Sequence, residues 1–129
     1  MLAKWSASVL AAVVIVLGLM AAPASASGEV CIQGGCVGSA EFDSYGEHFY
    51  VHDYEKDGDG VVAYLWAWNG SAWYRVTPAG GLYNRSGYEA PPVHRNYEIR
   101  EGASVKYMAC AVFSSGGEYN CSAWYYDNA

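Results

Sequence analysis

From residue 37 to the C-terminus, apolar and polar residues alternate with a period of two, and no ten-residue stretch combines helical periodicity with caps. A chain patterned this way makes its backbone hydrogen bonds between segments rather than within them, so it must fold as sheets. Turn signals recur at intervals of about 8–12 residues, the spacing of a sandwich or barrel. The expected strands span residues 37–42, 47–56, 61–68, 72–77, 94–100, 105–113 and 118–126, with a further short one near Cys31. Between residues 78 and 92, Gly80, Gly81, Gly87, Pro91 and Pro92 interrupt any regular element, leaving an irregular loop with at most a short strand. The expected fold is therefore all-β, an antiparallel sandwich or partly closed barrel of about seven or eight strands.

Residues 1–26 have a different character. Lys4 precedes an apolar run over residues 9–20, Pro23 breaks it, and Ala24-Ser25-Ala26 supplies small residues at cleavage-site spacing. The run is shorter than the roughly 20 residues a membrane-spanning helix needs. Residues 1–26 are thus expected to be a signal peptide cut after Ala26, or alternatively after Ala24. Residues 27–129 are then a single secreted, extracellular β domain. Without Lys4, the 13 acidic residues face six basic ones, a net charge of −7. That balance argues against nucleic acid and anionic membrane surfaces as partners. All 12 Tyr and four of the five Trp stay in the exported part.

An even number of cysteines in a small exported domain reads as disulfides. Cys31, Cys36, Cys110 and Cys121 allow three connectivities, and the local one has independent support. If Ser114-Ser115-Gly116-Gly117 is a hairpin loop with Phe113 opposite Glu118, then Cys110 falls opposite Cys121. Directly paired strand positions lie about 4.5–5.5 Å apart at Cα, within disulfide reach. Cys31 and Cys36 would close a small ring through Gly34-Gly35. A zinc site is disfavoured, since there is no CxxC pair and no matching His pair.

Hairpin pairing also assigns faces. A turn centred on Gly58-Asp59 sets Val51 opposite Trp66 and Phe49 opposite Trp68. An Asn69-Gly70 turn sets Trp66 opposite Trp73 and Tyr64 opposite Arg75. Phe49, Val51, Tyr64, Trp66, Trp68 and Trp73 would then share one face, expected to be core. The other face would carry His48, Tyr50, His52 and Tyr54 beside Ala63, Leu65, Ala67 and Tyr74, either covered by a second sheet or used for recognition.

Candidate chemistry is sparse. Asp53, Glu55, Asp57 and Asp59 with Gly58 resemble a calcium loop, but the position of the bidentate Glu is Tyr64 and the flanks are strands, so a solvated acidic turn is expected. His48 and His52 would share a strand face roughly 13 Å apart at 3.3 Å per residue, too far for one ion. No GxSxG elbow is present, and the domain leaves little room for a deep cleft. Asn69-Gly70-Ser71, Asn84-Arg85-Ser86 and Asn120-Cys121-Ser122 fit the N-glycosylation pattern, which matters only in a host that glycosylates. No catalytic residue, metal or cofactor is assigned. The candidate binding surface is Tyr50, Tyr54, Trp73, Tyr74 and Arg75, residue types enriched at interface hot spots.

Trp73-Tyr74-Arg75 resembles the Trp-Arg-Tyr recognition segment of small secreted actinomycete amylase inhibitors, with a different order and different cysteine spacing. More broadly, Ala40-Glu41-Phe42, Tyr45-Gly46-Glu47-His48-Phe49, Asp57-Gly58-Asp59-Gly60-Val61, Ile99-Arg100-Glu101-Gly102, Val105-Lys106-Tyr107 and Asn120-Cys121-Ser122 resemble small secreted, disulfide-containing actinobacterial β-proteins of unassigned function. The resemblance implies a secreted β domain and no activity. The functional expectation is a monomeric, non-enzymatic binding or interaction protein acting on an extracellular protein or glycan. A hydrolase inhibitor and a carbohydrate-binding module are its specific versions, and a small secreted hydrolase is the enzymatic rival.

Overall fold

The computed structural model describes residues 27–129; the expected signal peptide lies outside the described residues. The described residues form ten strands: β1 (Ser27–Cys31), β2 (Gly38–Asp43), β3 (His48–Asp53), β4 (Gly60–Trp68), β5 (Trp73–Arg75), β6 (Leu82–Asn84), β7 (Val93–Asn96), β8 (Ser104–Val112), β9 (Glu118–Tyr119) and β10 (Tyr125–Asn128). They make two antiparallel sheets that do not close into a barrel. The first, sheet A, has the order β1-β2-β3-β7, and the second, sheet B, runs β10-β8-β4-β5, with β6 also on β4 and β9 on β8.

The strand count exceeds seven or eight for two reasons. The loop over residues 78–92 contains β6, which pairs Leu82 with Ala63. The segment expected as one strand at residues 118–126 is two, because it follows β8 with breaks in step. At the hairpin tip Val112, not Phe113, pairs with Glu118, and Ala111 pairs with Tyr119, so the loop spans five residues rather than four. Asn120 then adopts φ 51° and adds one residue, after which the Ser122 N–H donates to the Ala109 carbonyl. That bulge sets Cys110 against Cys121, and the disulfide forms with 4.0 Å between Cα atoms. Cys31–Cys36 forms as well. The two are linked, since the Gln33 N–H donates to the Asn120 carbonyl at 2.9 Å.

The largest departure lies between β3 and β4. Residues 54–59 do not turn β3 back beside β4 but carry the chain from one sheet to the other, so the two strands meet face to face. Each then turns its own alternate set inward. Phe49 and Val51 are buried as expected, but β4 buries Val61, Ala63, Leu65 and Ala67, while Tyr64, Trp66 and Trp68 point outward and are only half-buried. Trp73 is likewise half-buried rather than core. The Asn69-Gly70 turn is also wider than two residues. The Asn69 side-chain oxygen accepts the Ser71 and Ala72 N–H groups, and Trp68, not Trp66, pairs with Trp73.

The core takes its aromatic bulk from three rings. Phe42 and Phe49 of sheet A pack on Tyr107 of sheet B, with centroids 6.0 and 6.1 Å apart. Gly28 of β1 passes directly over Tyr107, and a Cβ there would collide with the hydroxyl. One polar tie crosses the sandwich: buried Asn84 on β6 donates from Nδ2 to the Val51 carbonyl on β3 at 2.9 Å. A smaller apolar cluster of Val62, Cys110 and Val112 lies outside the main core and covers one end of sheet B's outer face.

Candidate functional site

The other end of that outer face is where the tryptophans gather. Strand register sets Arg75, Trp66, Lys106 and Tyr126 in one row across β5, β4, β8 and β10. Cations and aromatics therefore alternate along the row. In the neighbouring row Trp68 faces Trp73 edge-on at 5.5 Å, and Trp73 meets Tyr126 edge-on at 6.1 Å. Trp124, in the stretch leading into β10, completes the group.

Lys106 is the hub. Its Nζ lies 4.7 Å from the Trp73 ring centre, 4.9 Å from Trp124 and 5.7 Å from Trp66. The Arg75 guanidinium lies 6.0 Å from Trp66 on the other side. These are cation–π distances, and the contacts take the place of core packing for the indoles. Beside them a shallow hollow of about 260 Å³ opens between Trp66 and Trp124, edged by Arg75, Met108 and Glu118. Tyr64 closes one side by donating its hydroxyl to the Glu118 carboxylate. Burial, then that hydrogen bond, pushes the Tyr64 phenol well above its ordinary value, so it stays a donor.

Sheet A carries a second aromatic face. Alternation turns His48, Tyr50 and His52 outward, and β7 adds His94 opposite Tyr50. The rings form a ladder: His48 on His94 at 4.9 Å, His94 on Tyr50 at 4.6 Å, Tyr50 on His52 at 6.2 Å and His52 on Tyr54 at 5.2 Å. Tyr54 donates to Glu29 at 2.6 Å, and buried Ser39 donates to the same carboxylate oxygen at 2.5 Å. For Glu29, burial favours the neutral acid, but the Ser39 and Tyr54 hydrogen bonds and nearby His52 outweigh it and leave the carboxyl below its ordinary value.

The five residues read from the sequence as one surface are thus divided. Tyr50 and Tyr54 lie on sheet A; Trp73 and Arg75 lie on the outer face of sheet B. Tyr74 points to the side of Ala67 and is exposed at the β5 edge. Sequence reasoning did not select Trp66, Trp68, Trp124, Lys106 or Tyr126. One signal was present: Lys106 is the only basic residue within 104–112, out of phase with the buried Val105, Tyr107 and Ala109.

The acidic turn satisfies its own groups. The Asp59 N–H donates to Asp57 at 2.9 Å, and Asp59 accepts the Tyr119 hydroxyl. That bond, with burial and the surrounding carboxylates, pushes the Tyr119 phenol up to about 12. Asp53 is buried, and that burial raises its carboxyl, opposed by the Glu55 N–H and reinforced by Asp57 and Glu55. Among the described residues, one group of three metal-ligating side chains converges, Cys110, Glu118 and Cys121, and its two sulfurs are bonded to each other. Among the described residues no helix is long and apolar enough to cross a membrane.

No protein-family model, curated protein or solved structure matches this chain.

Proposed function

We propose that the protein is an exported, extracellular, non-enzymatic binding protein that recognises its ligand through the tryptophan–lysine face of sheet B. One observation carries this reading. Every tryptophan among the described residues stands outside the buried core, and Lys106 reaches three of the four. Folding alone would favour burying such large apolar rings, each worth about 2–3 kcal/mol when removed from water. Four indoles kept at one water-facing surface are better explained by a ligand that completes their burial. The two disulfides suit an oxidising extracellular compartment.

The ligand class best suited to this face is a polysaccharide. The apolar side of a pyranose ring stacks on an indole, and Lys106, Arg75 and Tyr64 offer donors to its hydroxyl or carboxylate groups. The hollow is open and shallow, which suits a chain lying across it rather than an enclosed small molecule. Sedimentation with insoluble glycans tests the reading. Retention on a glycan should fall at least tenfold in Trp124→Ala and Lys106→Met and stay unchanged in Tyr50→Ala.

A second reading has its own observation. Tyr74 is exposed at the β5 edge beside a loop closed by the Asn69 side chain, a rigid tip of the kind a hydrolase inhibitor presents. Stoichiometric inhibition of a secreted hydrolase, lost in Tyr74→Ala while glycan retention is absent, would replace the first reading with this one.

A further inference from the structure

The sequence contains three histidines, and the fold brings all three to the outer face of sheet A. His48 and His52 share a strand and are too far apart to act together. The third, 46 residues beyond His48, arrives from the edge strand β7. Register places His94 opposite Tyr50 and Asn96 opposite His48, so His48 and His94 are diagonal neighbours. Their Nδ1 and Nε2 atoms lie 2.7 Å apart. We propose that His48 and His94 form a two-imidazole site for a borderline divalent transition metal, with Cu(II) the tightest ligand.

The distance suits an ion as well as a proton. Two nitrogens bound cis at about 2.0–2.1 Å from one metal lie about 2.9 Å apart, and in a tetrahedron about 3.3 Å apart. The present separation is nearest the cis arrangement of a tetragonal Cu(II) or Ni(II) site and needs a shift of only a few tenths of an ångström. Imidazole donors select these metals and Zn(II) over Ca(II) and Mg(II), and the ordinary affinity order places Cu(II) first.

Both rings are held for this geometry. His94 stacks on Tyr50 with 19° between planes. His48 folds back over Gly46, where a Cβ would stand 2.8 Å from its Nε2, so the ring fits only because residue 46 lacks a side chain. That contact occupies the Nε2 edge and leaves Nδ1 facing His94. The guanidinium of Arg95, next in sequence to His94, is drawn to the backbone, donating to the His94 carbonyl at 2.8 Å. On the same outward face Asp43 stands opposite His48 and Glu41 opposite Tyr50, so the local charge attracts cations. His48 is half-buried and His94 exposed, so water can fill the remaining coordination positions.

The site is independent of the tryptophan face and stands or falls separately from it. The test uses the purified chain without a histidine tag, titrated with copper(II) sulfate and followed by calorimetry and electron paramagnetic resonance. The expected result is one saturable Cu(II) per chain with hyperfine structure from two imidazole nitrogens. Affinity should fall at least tenfold in both His48→Gln and His94→Gln and be unchanged in His52→Gln, with all three variants melting like the parent. Zn(II) and Ni(II) should compete, and Ca(II) should not. Binding that survives both substitutions, a one-nitrogen signal, or no saturable binding at millimolar copper would overturn the assignment.

Discussion

Asn84→Asp is the sharpest probe of how the two sheets are joined. The substitution keeps shape and volume but exchanges the NH₂ that donates to the Val51 carbonyl at 2.9 Å for an acceptor oxygen. Asn84 is 1% exposed, so water cannot rescue a carboxylate facing a carbonyl there. The new carboxyl can keep the bond only by staying protonated and donating its O–H. Holding an ordinary Asp, of pKa about 3.9, in the acid form at pH 7 costs about 1.4 kcal/mol per pH unit, or about 4 kcal/mol. The sign follows from linkage. The folded pKa is raised above the unfolded one, so the contribution is present below about pH 3.9 and is lost as pH rises toward the folded value. Urea denaturation followed by tryptophan fluorescence should show a deficit of about 4 kcal/mol at pH 7 that shrinks by about 1.4 kcal/mol per unit and is under about 1 kcal/mol at pH 4. Asn84→Ala should lose about 2 kcal/mol at every pH, about 1 for each hydrogen bond removed, to Val51 and from the Ser86 N–H. A pH-independent deficit in Asn84→Asp, or one below 1 kcal/mol at pH 7, would refute the buried tie.

Three further outcomes follow from the same structure. Leu65→Ala, in the core, should cost about 2–5 kcal/mol in chemical denaturation, and Trp66→Ala, on the outer face, clearly less; the reverse ranking would mean that β4 faces the other way. Replacing Cys110 and Cys121 together by Ser should cost nearly 3 kcal/mol, against about 2 kcal/mol for the Cys31 and Cys36 pair, because the first closes the longer ring, with a sequence separation of 11 against 5. Glu29→Gln should destabilise most at neutral pH. The Glu29 carboxyl is held below the ordinary 4.5, so its contribution is present above that value and fades as pH falls through the folded one; parent and variant melts should converge in acid.

Local patterning determined a good deal of this protein. The period of two specified strands, and glycine, proline and Asn-Gly signals bounded most of them. The short Gly-containing loop between two cysteine-bearing segments pointed to the Cys110–Cys121 bridge, although the loop is one residue longer than the sequence suggests and the bulge at Asn120, where φ is 51°, restores the alignment of the two cysteines. The inward positions of β3, Phe49 and Val51, were legible because only one face of that strand is apolar.

What the sequence did not determine is which strands lie side by side and which face each other. Residues 54–59 read equally well as a hairpin turn and as a crossover between sheets, since a short polar, glycine-containing link permits both. The choice decides which face of β4 is buried, and both of its faces are apolar: Val61, Ala63, Leu65 and Ala67 on one side, Tyr64, Trp66 and Trp68 on the other. Packing across the sandwich settles it, because Phe42, Phe49 and Tyr107 already supply the aromatic bulk of the core, and the aliphatic and small set of β4 fills the space opposite them. The tryptophans are thereby displaced to the surface, where Lys106 lies over the rings of Trp66, Trp73 and Trp124. Tertiary structure alone likewise joined His48 to His94, since no local rule relates residues on strands paired across such a length of chain.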